Sequence, residues 1–221
     1  MRCRSVWLIG LVLLVGGVLP AMGDGVLSVP AGIAPTLDGI LSQEEWTDAL
    51  ELALSDDTTL YLKHCAGFLY FGVLAAPGAE VVGNTYVARE RTVEILHASY
   101  ALGSALYRFE ADRWMLEKPF VWSCRIRAFS DAAIAEREAF LEANGWLATV
   151  VNLGVSEQME YQIAIEGASM RMLFRFDVHR GGQEVLTWPL NTDVGIDPGP
   201  LPQEAALRPE TWCDISFEPT M

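Results

Sequence analysis

The side chains able to do chemistry in this 221-residue chain are seven tryptophans, six tyrosines, three histidines and a large excess of carboxylates over basic groups. Flat aromatic faces can pack on the apolar face of a sugar ring, while carboxylates, amides and arginines take its hydroxyls. Trp114, Trp122, Trp146, Trp188 and Tyr107 are the aromatic candidates for that use. Trp114 follows the polar run Glu110-Ala111-Asp112-Arg113 and is the one expected to face solvent. For each of the others, core packing is the competing use, because aromatic rings dominate interiors. His97 and Ser99 are two residues apart and share a face on a strand, as do Arg125 and Arg127 on a later stretch. A His–Ser pair invites a hydrolase reading, yet it lacks a nucleophile elbow and a third residue to orient it. Hydrogen bonding of a half-buried histidine is the expected use of His97. The arginines are expected to pair with carboxylates, or to clamp a ligand carboxylate with a guanidinium fork. The ligand-binding candidates are Trp114, Trp122, Tyr107, His97 and Arg125, with no catalytic residue assigned.

Two metal chemistries are weighed on the same terms. Haem needs axial ligands such as His or Met facing one cavity. His64, His97 and His179 are available, with Met115, Met159, Met170 and Met172, but no Cys-x-x-Cys-His run exists. Met159 and Met172 fall at core periodicity, so packing is their expected role. Calcium needs several oxygen ligands close together. Asp56-Asp57-Thr58 and Asn191-Thr192-Asp193 with Asp197 are the acidic clusters, and both read first as turns. The expectation is no cofactor, with calcium as a structural option.

These groups must be positioned by a chain that opens on a targeting pattern. Arg2 and Arg4 precede an apolar run from residue 6 to 19, and Pro20-Ala21-Met22-Gly23 supplies small residues for cleavage. That is the pattern of a secretory signal peptide over residues 1–23, with an apolar run too short for a good spanning helix. The expected mature chain, residues 24–221, is secreted or periplasmic, does not span a membrane and is long enough for one domain with a substantial core. Removing Arg2 and Arg4 leaves 13 basic against 29 acidic residues, a formal charge of −16. Such a surface repels phosphate backbones, which argues against a nucleic-acid partner. Cys65, Cys124 and Cys213 remain after cleavage. They match no zinc spacing, and either one bridge with one thiol or three thiols is compatible with them.

Strand patterns dominate the rest. Residues 26–29 read as a short strand, 42–50 as a helical turn opened by Ser42 and Glu45, and 52–54 as an edge. Residues 59–64 and 68–74 form a hairpin over Cys65-Ala66-Gly67. Strands follow at 92–98, 105–110, 114–115 and 120–127. One helix covers 132–144, with Ser130 or Asp131 as N-cap, Gly145 at its end and Ile134 and Leu141 as its apolar stripe. Further strands are read at 146–151, 159–165, 170–178 and 185–189, then a proline-rich acidic loop at 191–209 and a closing strand at 211–217. Met172, Phe174, Phe176 and Val178 are expected to face inward. Many short strands with one intervening helix predict an all-β, two-layer antiparallel β-sandwich of jelly-roll or immunoglobulin-like type. Residues 34–46 are expected to close one end of it, with Trp46 buried.

The segment Pro35-Thr36-Leu37-Asp38-Gly39 with Glu45-Trp46, followed by the arm Leu69-Tyr70-Phe71-Gly72-Val73, resembles the start of family 9 carbohydrate-binding module-like domains. These are related in architecture to dopamine β-monooxygenase N-terminal type sandwiches. Ile95-Leu96-His97-Ala98-Ser99, Leu102-Gly103, Trp146, Glu160-Tyr161-Gln162-Ile163 and Trp188-Pro189 are similar to later parts of that group. The resemblance implies a non-catalytic module for a glycan or other small polar ligand. The alternatives are a structural or adhesion domain of the cell envelope, or a haem-binding redox domain.

Overall fold

The computed structural model describes residues 26–124, 130–151, 153–196 and 200–219. The expected leader, Arg125, Arg127 and Asp197 lie outside the described residues. In chain order the elements are β1 (Val26–Val29), α1 (Gln43–Trp46), β2 (Leu50–Ala53), β3 (Thr59–Cys65), β4 (Phe68–Leu74), β5 (Glu80–Ala88), β6 (Thr92–Ala98), β7 (Leu102–Glu110) and β8 (Arg113–Ser123). Then come α2 (Asp131–Asn144), β9 (Trp146–Ala148), β10 (Gln158–Ala164), β11 (Ser169–His179), β12 (Gln183–Trp188), β13 (Glu204–Ala205) and β14 (Cys213–Phe217).

Two sheets pack face to face as an all-β sandwich. The larger runs β1-β14-β11-β5-β6-β7-β8-β13, with β12 also pairing β11, and the smaller runs β2-β3-β4-β10-β9. Among the described strands the pairing is antiparallel except between β1 and β14. Between the sheets, Phe71 stacks on Tyr161 at 4.5 Å and meets Phe174 edge-on at 4.8 Å. Met172, Phe174, Phe176 and Val178 are buried, Met172, Phe174 and Phe176 fully so and Val178 at 6% exposure, as the alternation of β11 predicts. Trp146 is fully buried, and its indole N–H donates to Ser104 Oγ across the layers at 2.9 Å.

Several expectations need correction. β5 was not expected as a strand, yet it is an interior strand of the larger sheet, between β11 and β6. The return strand read as two pieces is one 11-residue strand, β8, with register shifts against β7. The helical turn at 42–50 shrinks at its C-terminal end to Gln43–Trp46, as the chain passes into β2 at Leu50, and the Ser42 side chain makes no capping bond to it. Instead Glu45 accepts from Thr36 N at 3.0 Å and from Ser42 Oγ at 2.8 Å, tying the turn to the preceding strap. α2 has the expected caps: Ser130 Oγ accepts from Ala133 N, and left-handed Gly145 (φ 70°) donates to Leu141 O. Its buried residues are Ala133 and Phe140, however, and Ile134 is 45% exposed. The helix turns this way because Arg137 points inward, donating to Ala148 O at 3.1 Å and Leu37 O at 3.3 Å. Cys65, Cys124 and Cys213 are thiols, not disulfides.

Trp46 is buried at 4% exposure, but it does not plug an end between the layers. It lies on the outer face of the smaller sheet, tilted against Tyr61 at 6.3 Å with Lys63 Nζ 5.0 Å from its ring. The strap of residues 31–48 seals that face. Gly39 N donates to Glu160 Oε2 at 2.7 Å, and Leu41 N donates to Gln158 Oε1 at 2.6 Å. Gly39 has φ 82°, and a Cβ there would stand 2.2 Å from Leu153 O, so a side chain at this position has no room.

Candidate functional site

The outer face of the larger sheet carries the site. Strand register places one residue from each of five strands in a single transverse row: Arg175 beside Asn84, Asn84 beside His97, His97 beside Gly103 and Gly103 beside Trp122. Five strands at a spacing of about 4.8 Å make this row ~19 Å long, more than one sugar ring. Asp177, two residues on from Arg175, shares its face. A second layer roofs part of this surface. Val194, Ile196, Ala205, Leu207 and Trp212 pack on Tyr86, Ile95, Ala105, Tyr107 and Leu173 as a separate apolar cluster. Leu116 N donates to Gln203 O at 2.9 Å, and Tyr107 Oη donates to Pro202 O at 2.8 Å, pinning the roof to β7 and β8.

Between roof and sheet lies an open cleft of about 630 Å³. Its aromatic end is formed by Phe120 and Trp122, which stack at 5.0 Å with planes 29° apart. Trp122 is 42% exposed. A Cβ on Gly103 would come within 2.8 Å of the indole, so the missing side chain is what lets the ring lie down on the sheet. His97 meets Trp122 edge-on at 5.1 Å. Its Nδ1 lies 2.8 Å from Asn84 Oδ1, which makes Nδ1 the donor and leaves Nε2 as an acceptor. Burial pushes the imidazole down to about 4, against the opposing pull of Asp177, so His97 is neutral at pH 7. Burial also pushes the Tyr86 phenol up to about 12. At the far end Arg175 Nη2 pairs with Asp177 Oδ1 at 3.1 Å, and Gln183 Nε2 donates to the same oxygen at 2.9 Å.

The sequence candidates therefore divide. His97 and Trp122 meet in the cleft. Trp114 is half-buried near the opposite end of β8, against Phe109 at 5.1 Å, roughly 25 Å along the strand from Trp122 at ~3.3 Å per residue. Tyr107 is fully buried and its hydroxyl is committed to Pro202, so it is a core residue and not a ligand contact. Trp146 and Trp188 are likewise buried. Arg125 lies outside the described residues. Sequence reasoning missed Asn84, Phe120, Arg175, Asp177, Gln183 and Gln203. The signal for Arg175 and Asp177 was present: both sit on the second face of an 11-residue strand.

Among the described residues no three His, Cys, Asp or Glu side chains gather as a metal site. Asp57 accepts from Ser55 Oγ and pairs with Arg180, and Asp193 accepts from Gly195 N, so these two carboxylates serve local turns. His179 joins His97 at the cleft, whereas His64 is buried beside Phe217 with Nε2 bonded to Glu218 O, and Met159, Met170 and Met172 pack in the core. Among the described residues no helix is long and apolar enough to cross a membrane.

No family model and no curated protein matches this sequence. A solved structure from Bacteroides uniformis, a "putative carbohydrate-binding protein", is similar over 87% of this chain and 99% of that chain, with 9% identity and a TM-score of 0.48.

Proposed function

We propose that this chain is a non-catalytic binding domain for a glycan or similar small polar ligand, held in the cleft on the larger sheet. The observation that carries the proposal is one row of side chains. A half-exposed indole lies flat over Gly103 at one end, followed by neutral His97, Asn84 and a buried Arg–Asp pair. An aromatic platform binds the apolar face of a ring, and convergent polar groups fix its hydroxyls. The resemblance of residues 35–46 to family 9 carbohydrate-binding-like domains supports the same ligand class. His97 is engaged by Asn84 and not by Ser99, which favours binding over hydrolysis. The basic and apolar leader of residues 1–23 supports an exported protein.

Titration calorimetry with neutral gluco-, galacto-, manno- and xylo-oligosaccharides tests this. Trp122→Ala is expected to weaken the best ligand by roughly 10-fold or more, as for a central aromatic anchor. Trp114→Ala is expected to bind as the wild type does. Loss of binding in Trp114→Ala with Trp122→Ala intact would move the site to the other end of β8.

A further inference from the structure

The buried pair at the far end of the cleft differs from most ion pairs on this molecule. Arg113–Glu204, Arg171–Asp214 and Arg89–Glu166 all have well-exposed side chains. The Arg175 and Asp177 side chains are 8% and 10% exposed. They are closed in by the Ile196 carbonyl, which accepts from Arg175 Nη1 at 3.5 Å, and by Gln183. Among the described residues, the other titratable groups lining the cleft are Tyr86, His97 and His179. On a chain of formal charge −14, the buried charges of Arg175 and Asp177 cancel each other.

We propose that the Arg175–Asp177 pair is a charge filter, so that the cleft takes uncharged polyhydroxylated ligands and rejects uronates and amino sugars of the same size. The filter rests on the cleft being the binding site. Its logic is that of a desolvated pair. A ligand carboxylate drawn to the guanidinium must either displace Asp177 and strand a buried anion, or lie beside that anion unscreened. A ligand ammonium drawn to Asp177 strands Arg175 in the same way. Breaking a buried pair by half is costly because the remaining charge has neither water nor partner. Hydroxyls avoid the choice. They donate to the lone pairs of Asp177 not used by Arg175 and Gln183, and accept from the guanidinium, while the pair stays closed.

The test compares neutral hexose oligosaccharides with oligogalacturonates and chitosan oligomers, by calorimetry on the wild type and Asp177→Asn. The wild type is expected to bind the charged probes at least ~10-fold more weakly than the neutral ones. The discrimination is expected to persist at about 1 M salt, where the surface field is screened within ~3 Å. Asp177→Asn keeps an acceptor for Gln183 but leaves Arg175 uncompensated, so oligogalacturonate is expected to gain about 10-fold relative to the neutral probe. Three results overturn the filter: equal binding of uronate and neutral probes by the wild type, discrimination that vanishes in high salt, or an unchanged ratio in folded Asp177→Asn. The wild-type measurements decide it even where the variant does not fold. Uronate binding that Trp122→Ala abolishes sinks the filter alone, whereas no saccharide binding of any kind sinks the cleft as a site as well.

Discussion

The two sheets each turn an outer face away from the shared core, and both faces bury charge, but they treat it differently. On the smaller sheet the strap of residues 31–48 lies directly over Tyr61, Lys63 and Glu160. Lys63 is fully buried, bonded to the Glu45 carbonyl and to Asp48 at 2.9 Å, and Glu160 holds the Gly39 amide. Lys63 and one oxygen of Glu160 there fasten the strap. On the larger sheet the roof of residues 190–196 and 200–212 stands partly off the strands, fastened at Gln203, Pro202 and Ile196, and leaves a cleft beside them. Buried polarity thus fastens the cover on the smaller sheet as a latch, and on the larger sheet it also lines an open cleft.

Perturbations that separate latch from cleft test this contrast. The largest effect is expected from Trp46→Ala. Removing a buried indole under the strap should cost about 3–5 kcal/mol by thermal or urea unfolding, with saccharide affinity unchanged while the protein is folded. A parallel loss of affinity would mean that the two faces are one coupled unit. Next is Glu160. Burial raises its carboxyl to about 7, opposed by the Gly39 hydrogen bond. The folded protein therefore holds this proton more tightly than the unfolded chain. The associated stability is complete below pH 4.5 and is lost as pH rises through about 7, amounting to about 3 kcal/mol at most. Glu160→Gln keeps an acceptor for Gly39, so the wild-type-minus-variant difference in stability should slope across that window; a flat difference would remove Glu160 from the latch. The smallest effect is expected from Gly103→Ala. The added methyl should lift Trp122 off the sheet and weaken neutral saccharide binding by roughly 10-fold at most, with a stability change below about 1 kcal/mol.

The latch was more legible in the sequence than the cleft. Asp38-Gly39, the aromatic at 46 and the hairpin of β3 and β4 are local patterns, and local patterns survive in one dimension. What the sequence hid was which layer they close, because Trp46 could fill an end or a face with the same hydrophobic gain. The cleft is a row across five strands, and no spacing along the chain encodes a row. It also depends on β5, whose Gly83-Asn84 pair interrupts the apolar pattern. Asn84 is in the site, so the residue that serves the cleft helped to disguise its strand. Arg175 and Asp177 read as the solvent side of an amphipathic strand, and only the roof from a distant segment turns that side into an interior. Trp114 beside a polar turn carried the stronger local signal for exposure than Trp122, since nothing local showed that Gly103 would lie opposite.

The pairing of β14 between β1 and β11 bears on how this molecule must be assembled. Residues 213–217 supply the partner of strand 26–29, and Glu218 then binds both Val29 and His64. Segments so far apart in the sequence meet only after a long loop has closed, which makes such contacts slow to form and late to be rewarded. Until residues 213–217 are in place, two strands are unzipped and the flank of β11 is bare. Removing β14 (Cys213–Phe217) should accordingly leave a sticky, partly open sandwich, while an equal cut within the roof would leave the seam intact.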